Sequence, residues 1–308
     1  APVGIEMEIS ANWVGGAILL FGSEQQKRKY LTEVAKGESC FCLGYSEPNS
    51  GSDLASIQTR AVEDGDSWVI NGQKTWCSFA HYANYCWLGA RTDPNAPKHR
   101  GISMFIIDMK TPGITVKPLI NILNQHSFNE VFLDDVRIPK DALVGERNNG
   151  WYQLAMALDY ERSMIGTAAG NQRVIEELIE YAKEARHSGT SDDDALIRDE
   201  VAKLVVENEV LRMMCYRIAW MYAKGLHPSY ESSMSLLFSS ELMRHTASVG
   251  MRVLGHYGEL GQDSKLAVAR ARMERTYLSC LSIGVGGGTN EIQKNIVAMR
   301  GLGLPRQQ

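Results

Sequence analysis

The stretch NEVFLDDVRIPKDALVGERNNGWYQLAMALDYER, residues 129–162, contains the change of texture that decides the fold. Upstream, Glu130 to Leu133 reads as a strand. From Trp151 onward apolar residues recur at helical spacing. The strand-like texture extends back to about Cys40, with runs at 68–70, 85–90, 102–108 and 114–118. Between them stand Asp64-Gly65-Asp66, Asn71-Gly72, Asp93-Pro94-Asn95 and Thr111-Pro112-Gly113, each supplying the positive or fixed φ that a tight turn needs. Short strands at this spacing predict a small β-barrel or sandwich over 40–149. Downstream, amphipathic patterns predict long helices over 151–187, 192–224, 228–254 and 263–283, with a last one from Thr289, so that 150–308 forms a helical bundle. Residues 1–39 read as two short helices. The fold class is therefore α+β, and no repeat of 20 to 50 residues interrupts it.

At 308 residues the chain is long enough for two domains or one large layered one. Hydrophobic residues at 44% and charged residues at 22% are ordinary globular usage, which excludes a disordered or fibrous scaffold. With 32 Lys+Arg against 36 Asp+Glu the net charge is −4, without the basic excess that draws proteins to nucleic acid or anionic lipid. The six cysteines form no CxxC pair and no zinc-ligand spacing, so they read as reduced, cytosolic thiols, and no metal is assigned. The longest apolar run, residues 13–22, is about half of the ~20 residues a membrane span needs. The expected location is the cytoplasm, or the mitochondrial matrix in a eukaryote. The opening Ala-Pro-Val-Gly lacks an initiator Met, which points to a start inside a larger polypeptide.

Three stretches carry candidate chemistry. Residues 44–53, GYSEPNSGSD, are dense in small side chains and hydroxyls, so that a flat heteroaromatic ring or a phosphate could approach the main chain; a plain connecting loop has the same composition. Residues 284–293, GVGGGTNEIQ, form a glycine turn feeding a helix, without the lysine of a P-loop or the preceding strand of a dinucleotide fingerprint. Amides there could polarise an oxyanion or a pyrophosphate, or simply cap the helix. Asp159-Tyr160-Glu161-Arg162 sits among Met156, Leu158, Met164 and Ile165; a desolvated carboxylate there would be a competent base, while a solvated Glu–Arg pair is the plainer alternative. His81, His126 and His256 look scattered, and the methionines at 213, 214 and 234–243 read as core or interface packing.

Taken in order, FGSEQQKRKYL (21–31), CLGYSEPNSGSDLAS (42–56), VINGQKTWCS (69–78), NEVFLDDVRIPKDALVG (129–145), ALDYERSMIG (157–166) and GGGTNEIQKNIVAMRGLGLPR (286–306) resemble the acyl-CoA dehydrogenase family over essentially the whole chain. The resemblance implies an N-terminal helical domain, of which 1–39 is a remnant, a middle β-barrel domain and a C-terminal four-helix bundle. It implies FAD as cofactor, an acyl-CoA thioester as substrate and electron-transferring flavoprotein as electron acceptor. In the family a carboxylate removes the α-proton as the β-hydrogen leaves as hydride to the flavin, giving a trans-2-enoyl-CoA.

Many members carry that base in a Tyr-Glu-Gly-Thr turn, where this chain reads Gly286-Gly287-Gly288-Thr289. A subgroup including the long-chain and isovaleryl types places it instead at the position matching Glu161. The resemblance therefore assigns Glu161 as base and the Gly287 N–H as oxyanion donor. It places Tyr45, Ser46, Trp76 and Ser78 around the isoalloxazine, Thr289 and Glu291 on FAD, and Ser52, Asp159 and Arg162 on CoA.

Two segments depart from the family pattern. Where an Arg-x-x-Phe-Gly motif normally helps hold FAD, this chain reads Glu184-Ala185-Arg186-His187-Ser188-Gly189. The Gln-x-x-Gly-Gly-x-Gly stretch lent to a neighbouring subunit's FAD reads Arg252-Val253-Leu254-Gly255-His256-Tyr257-Gly258, so Arg252 and Gly255 take the cofactor-facing positions. Such departures, with the ending GLGLPR and Tyr277-Leu278-Ser279-Cys280, resemble heteromeric members acting on steroid side-chain or cyclic acyl-CoA thioesters. The expected assembly is a homo- or heterotetramer with a related chain. Alternatives to the dehydrogenase are a non-catalytic, cofactor-sharing subunit and a non-oxidising acyl-CoA lyase or desulfinase-like relative.

Overall fold

The computed structural model describes residues 9–162, 166–187 and 194–305, without the side chains of 159–162, 184–187 and 194. By contacts the chain divides into two compact units, 1–161 and 162–308.

The first unit opens with helical turns over Ile9–Val14 and Gly15–Phe21. Ser23 and Gln26 then satisfy each other's backbone amides in a capping box, at 3.2 and 3.0 Å, which starts the next helical segment, ending at Ala35. The same Gln26 amide donates to the carbonyls of Asp141 and Leu143, tying this segment to the sheet.

The sheet has eight strands: β1 (Phe41–Gly44), β2 (Arg60–Asp64), β3 (Ser67–Lys74), β4 (Tyr85–Arg91), β5 (Ile102–Asp108), β6 (Ile114–Ile120), β7 (His126–Pro139) and β8 (Leu143–Val144). Their order is β6-β7-β3-β2-β4-β5-β8, with β1 parallel to β4. Strands β4 and β5 are apolar along nearly their whole length because both faces are covered. Cys86, Leu88, Phe105 and Ile107 face one core, with Trp68, Ile70 and Val131. Trp87, Met104 and Ile106 face the other, against Val14, Ile18, Leu154 and Ala157. The helix Gly150–Arg162 therefore packs, through Leu154 and Ala157, on the sheet of its own unit.

In the second unit the helices Thr167–His187, Asp194–Ala223, Tyr230–Leu254 and Arg272–Cys280 form the bundle around Leu178, Leu204, Leu211, Val249 and Met273. The single helix expected over 151–187 is two elements, with Gly166 in a turn. The helix expected from 263 starts only at Arg272, because Ala269, Arg270 and Ala271 all have φ between +47° and +58°, which no right-handed helix accommodates. All six cysteines are buried. Among the described residues no helix is long and apolar enough to cross a membrane.

Candidate cofactor and active site

In the first unit two of the motif segments, 42–56 and 69–78, meet. The Thr75 amide donates to the Ser46 carbonyl at 2.9 Å. Below this contact Lys74, whose side chain has no exposed surface, donates from Nζ to Glu47 Oε1 at 2.8 Å and to the Tyr45 carbonyl at 3.0 Å. The Glu47 carboxylate also accepts the backbone amides of Gln58, at 2.6 Å, and Thr59, at 2.8 Å. Burial pushes the Glu47 carboxyl up, but Lys74 and the amides outweigh it and hold it below its ordinary value; burial pulls Lys74 down against the same pairing. Neither residue was singled out from the sequence. The readable signal was a lysine at the inward-facing positions of β3 shared by Trp68 and Ile70.

Above the pair stands Trp76, 62% exposed, with φ of +58°. A bulky residue in the left-handed region costs on the order of 1–3 kcal/mol, and such strain is held by its surroundings. Here the Cys77 amide donates to the Asn129 carbonyl and the Phe79 amide to the Ser127 carbonyl, both at 2.9 Å. Phe128 meets the indole edge-on at 6.1 Å. Tyr45 is buried, and Ser46 and Ser78 are half-buried. An uncovered indole flanked by hydroxyls and main-chain groups is a donor set and a surface that fit a flat heteroaromatic ring. Ser52 is exposed at the loop tip, where Asp53 pairs with Lys98 at 2.7 Å.

His81 and His126, expected to be scattered, stack with centroids 3.8 Å apart. Between them Asn129, fully buried, contacts His126 Nε2 through Oδ1 at 2.6 Å and His81 Nδ1 through Nδ2 at 3.2 Å, and donates to the Cys77 carbonyl. Burial, then the adjacent His126, lower the His81 pKa. His256 is exposed in a short helical turn after Leu254.

In the second unit the glycine turn is held from within. The Asn290 amide donates to the Gly284 carbonyl at 2.9 Å, and the Gln293 side chain donates to the carbonyls of Gly287 and Gly288. Gly287 and Gly288 have φ of +68° and +98°, the conformation that calls for glycine here. Thr289 caps the helix Asn290–Ile296 by accepting the Ile292 amide at 3.3 Å. The Glu291 carboxylate is drawn to its own amide and the Thr289 hydroxyl, which lowers its pKa. Arg252 ends its helix paired with Glu200 at 2.8 Å, and Gly255, with φ of +53°, terminates that helix. Asp159, Glu161 and Arg162 lie on the helix Gly150–Arg162 by backbone, with side chains outside the described residues. The side chains of 184–187 and all of 188–189 lie outside them too.

The acyl-CoA dehydrogenase middle-domain family matches residues 42–136, and the acyl-CoA dehydrogenase C-terminal-domain family matches 148–302. The chain is 36% identical over 306 residues to acyl-CoA dehydrogenase FadE26 of Mycobacterium tuberculosis, covering 97% of this chain and 76% of that relative. Among solved structures, the Tcur3481-Tcur3483 steroid ACAD matches with a TM-score of 0.91 at 32% identity, covering 98% of this chain and 77% of that one. The ChsE4-ChsE5 complex from Mycobacterium tuberculosis matches with a TM-score of 0.90 at 36% identity, covering 100% and 79%. The chain belongs to the acyl-CoA dehydrogenase family. FAD is the cofactor of that family.

Proposed function

We propose that this chain catalyses the α,β-dehydrogenation of an acyl-CoA thioester to the trans-2-enoyl-CoA, with Glu161 as the base. The observation that carries the reading is the strained, uncovered Trp76 indole beside Ser46 and Ser78, a flat site of the kind an isoalloxazine needs, in a chain of this family. FAD bound there supplies the acceptor for the hydride that leaves the β-carbon. Tyr45, Ser46, Trp76 and Ser78 orient the ring and keep water from it. Thr289 and Glu291, at the start of their helix, support the cofactor from the second unit's sequence.

An α-proton of a thioester is a weak acid, so its removal requires a base and a stabilised oxygen together. The Glu161 carboxylate takes the proton, and the Gly287 main chain carries the oxyanion role assigned to it by its motif position. Ser52, Asp159 and Arg162 hold the CoA portion, the planar guanidinium suiting its phosphates. Electrons leave to an electron-transferring flavoprotein. The steroid ACAD likeness favours a bulky steroid-side-chain or cyclic acyl group.

A second reading is favoured by one observation. Arg252, at a position lent to a neighbour's FAD, is committed to Glu200, which fits a subunit that shares cofactor sites unequally with a related chain in a heterotetramer.

Glu161→Gln tests the assignment. The variant retains flavin and loses dehydrogenation by about 10²- to 10⁴-fold in an acceptor-reduction assay, because Gln is nearly isosteric with Glu but cannot take the proton. Turnover equal to the native chain's would sink Glu161 as base.

A further inference from the structure

We propose that the buried Glu47–Lys74 pair is a positioning device for the cofactor, setting the spacing of the two segments that flank the isoalloxazine; this rests on the FAD reading above. The pair does more than neutralise charge. Lys74 Nζ reaches the Tyr45 carbonyl, one residue before Ser46, at 3.0 Å. Its own backbone ends β3 and leads through Thr75 directly into Trp76. One ammonium therefore joins the two strips that present Tyr45 and Ser46 on one side and Trp76 and Ser78 on the other.

Glu47 extends the tie to a third segment. Its two oxygens accept Gln58 and Thr59 amides, at the entry to β2, while its backbone closes the 47–50 turn with Ser50 at 3.0 Å in both directions. The carboxylate thus has three donors from two segments besides its own loop. A neutral or apolar pair of the same volume would fill this space, and often with no loss of stability. Without N–H donors at 74 such a pair no longer ties the Tyr45 carbonyl to the Glu47 carboxylate, as the Lys74 ammonium does. That distinction separates positioning from mere packing: stability depends on the charges being matched, whereas the spacing of the flavin-flanking strips depends on the hydrogen bonds.

The test compares Glu47→Asp, which keeps the charge but shortens the reach by one methylene, with the paired variant Glu47→Gln/Lys74→Met, which removes both charges. Flavin affinity is read by FAD titration, thermal stability by melting, and local order by amide hydrogen exchange of the flavin-free chain. The paired variant melts within a few degrees of the native chain. Both variants bind FAD at least tenfold more weakly, and both exchange faster at 45–50 and 75–79 while β5 keeps its native protection. Native FAD affinity with native exchange in Glu47→Asp overturns the proposal. A paired variant that melts far below the native chain, with exchange raised throughout the first unit including β5, overturns it in favour of a purely structural pair. If the native chain binds no FAD, alone or with a related chain, the functional reading fails instead, and the exchange comparison still decides whether the pair sets the spacing.

Discussion

A lysine with no exposed side-chain surface stays charged only when its partners repay the lost hydration, and Lys74 has a carboxylate and a carbonyl to do so. Leaving either partner alone at such a site costs about 3–5 kcal/mol, which is why a paired replacement is the informative one. The stacked histidines show the opposite tendency, toward neutrality. His81 titrates below its ordinary value of 6.5, so its neutral form is the one the fold prefers. Stability linked to His81 is complete above the unfolded pKa and is lost as pH falls through the lowered folded one. His126→Gln removes the second of the two causes that lower His81; the His81 pKa, followed by ring NMR, is expected to rise, and an unchanged titration would mean that burial alone sets it. At this scale the small, hydroxyl-rich composition and the motif order pointed to the segments around Ser46 and Trp76, which meet where the Thr75 amide donates to the Ser46 carbonyl. Glu47, Lys74 and Asn129 were hidden because each depends on at least one partner 11 to 52 positions away, which no local pattern encodes.

β3 meets β7 with a break in register between Ile70 and Gly72, and the extra residue lies on β7, where Asp135 takes φ of +47°. Asn71 latches the bulge, donating to Asp135 Oδ1 and accepting the Asp135 amide, both at 2.9 Å. Gly72 then passes so close to Thr59 that a Cβ would sit 2.7 Å from the Thr59 Cα. Gly72→Ala is therefore expected to cost about 1–3 kcal/mol as an overpacked site, read from the denaturation midpoint; a neutral effect would mean that this approach is not tight. The strand at 102–108 was legible to the residue because its apolar run is bounded by turn residues at both ends. Strand β7 extends far beyond the 130–133 run because Val136 to Pro139 pair with β3 again past the solvent-facing bulge at Asp134 and Asp135. The late start of the Arg272–Cys280 helix escaped the periodicity since nothing in Ala269-Arg270-Ala271 marks a left-handed turn.

Across the whole molecule, composition gave no sign of the basic excess that draws proteins to nucleic acid or anionic lipid, and the alternation of a strand-rich middle with long helices predicted the α+β class that the family comparisons bear out. The resemblance went further than periodicity could, since ordered motifs carry site roles that spacing alone leaves open. The first unit carries the indole face with its buried tie, and the second carries the glycine turn before Asn290–Ile296. The central proposal is that this chain carries out an FAD-dependent dehydrogenation of an acyl-CoA thioester. It is tested most directly by the visible spectrum of the purified chain, followed as a steroid-side-chain or cyclic acyl-CoA thioester is added without oxygen. The account predicts a bound-flavin absorption band that bleaches as enoyl-CoA forms. A chain that holds flavin whose band survives every acyl-CoA thioester, alone and with a related chain, would contradict it.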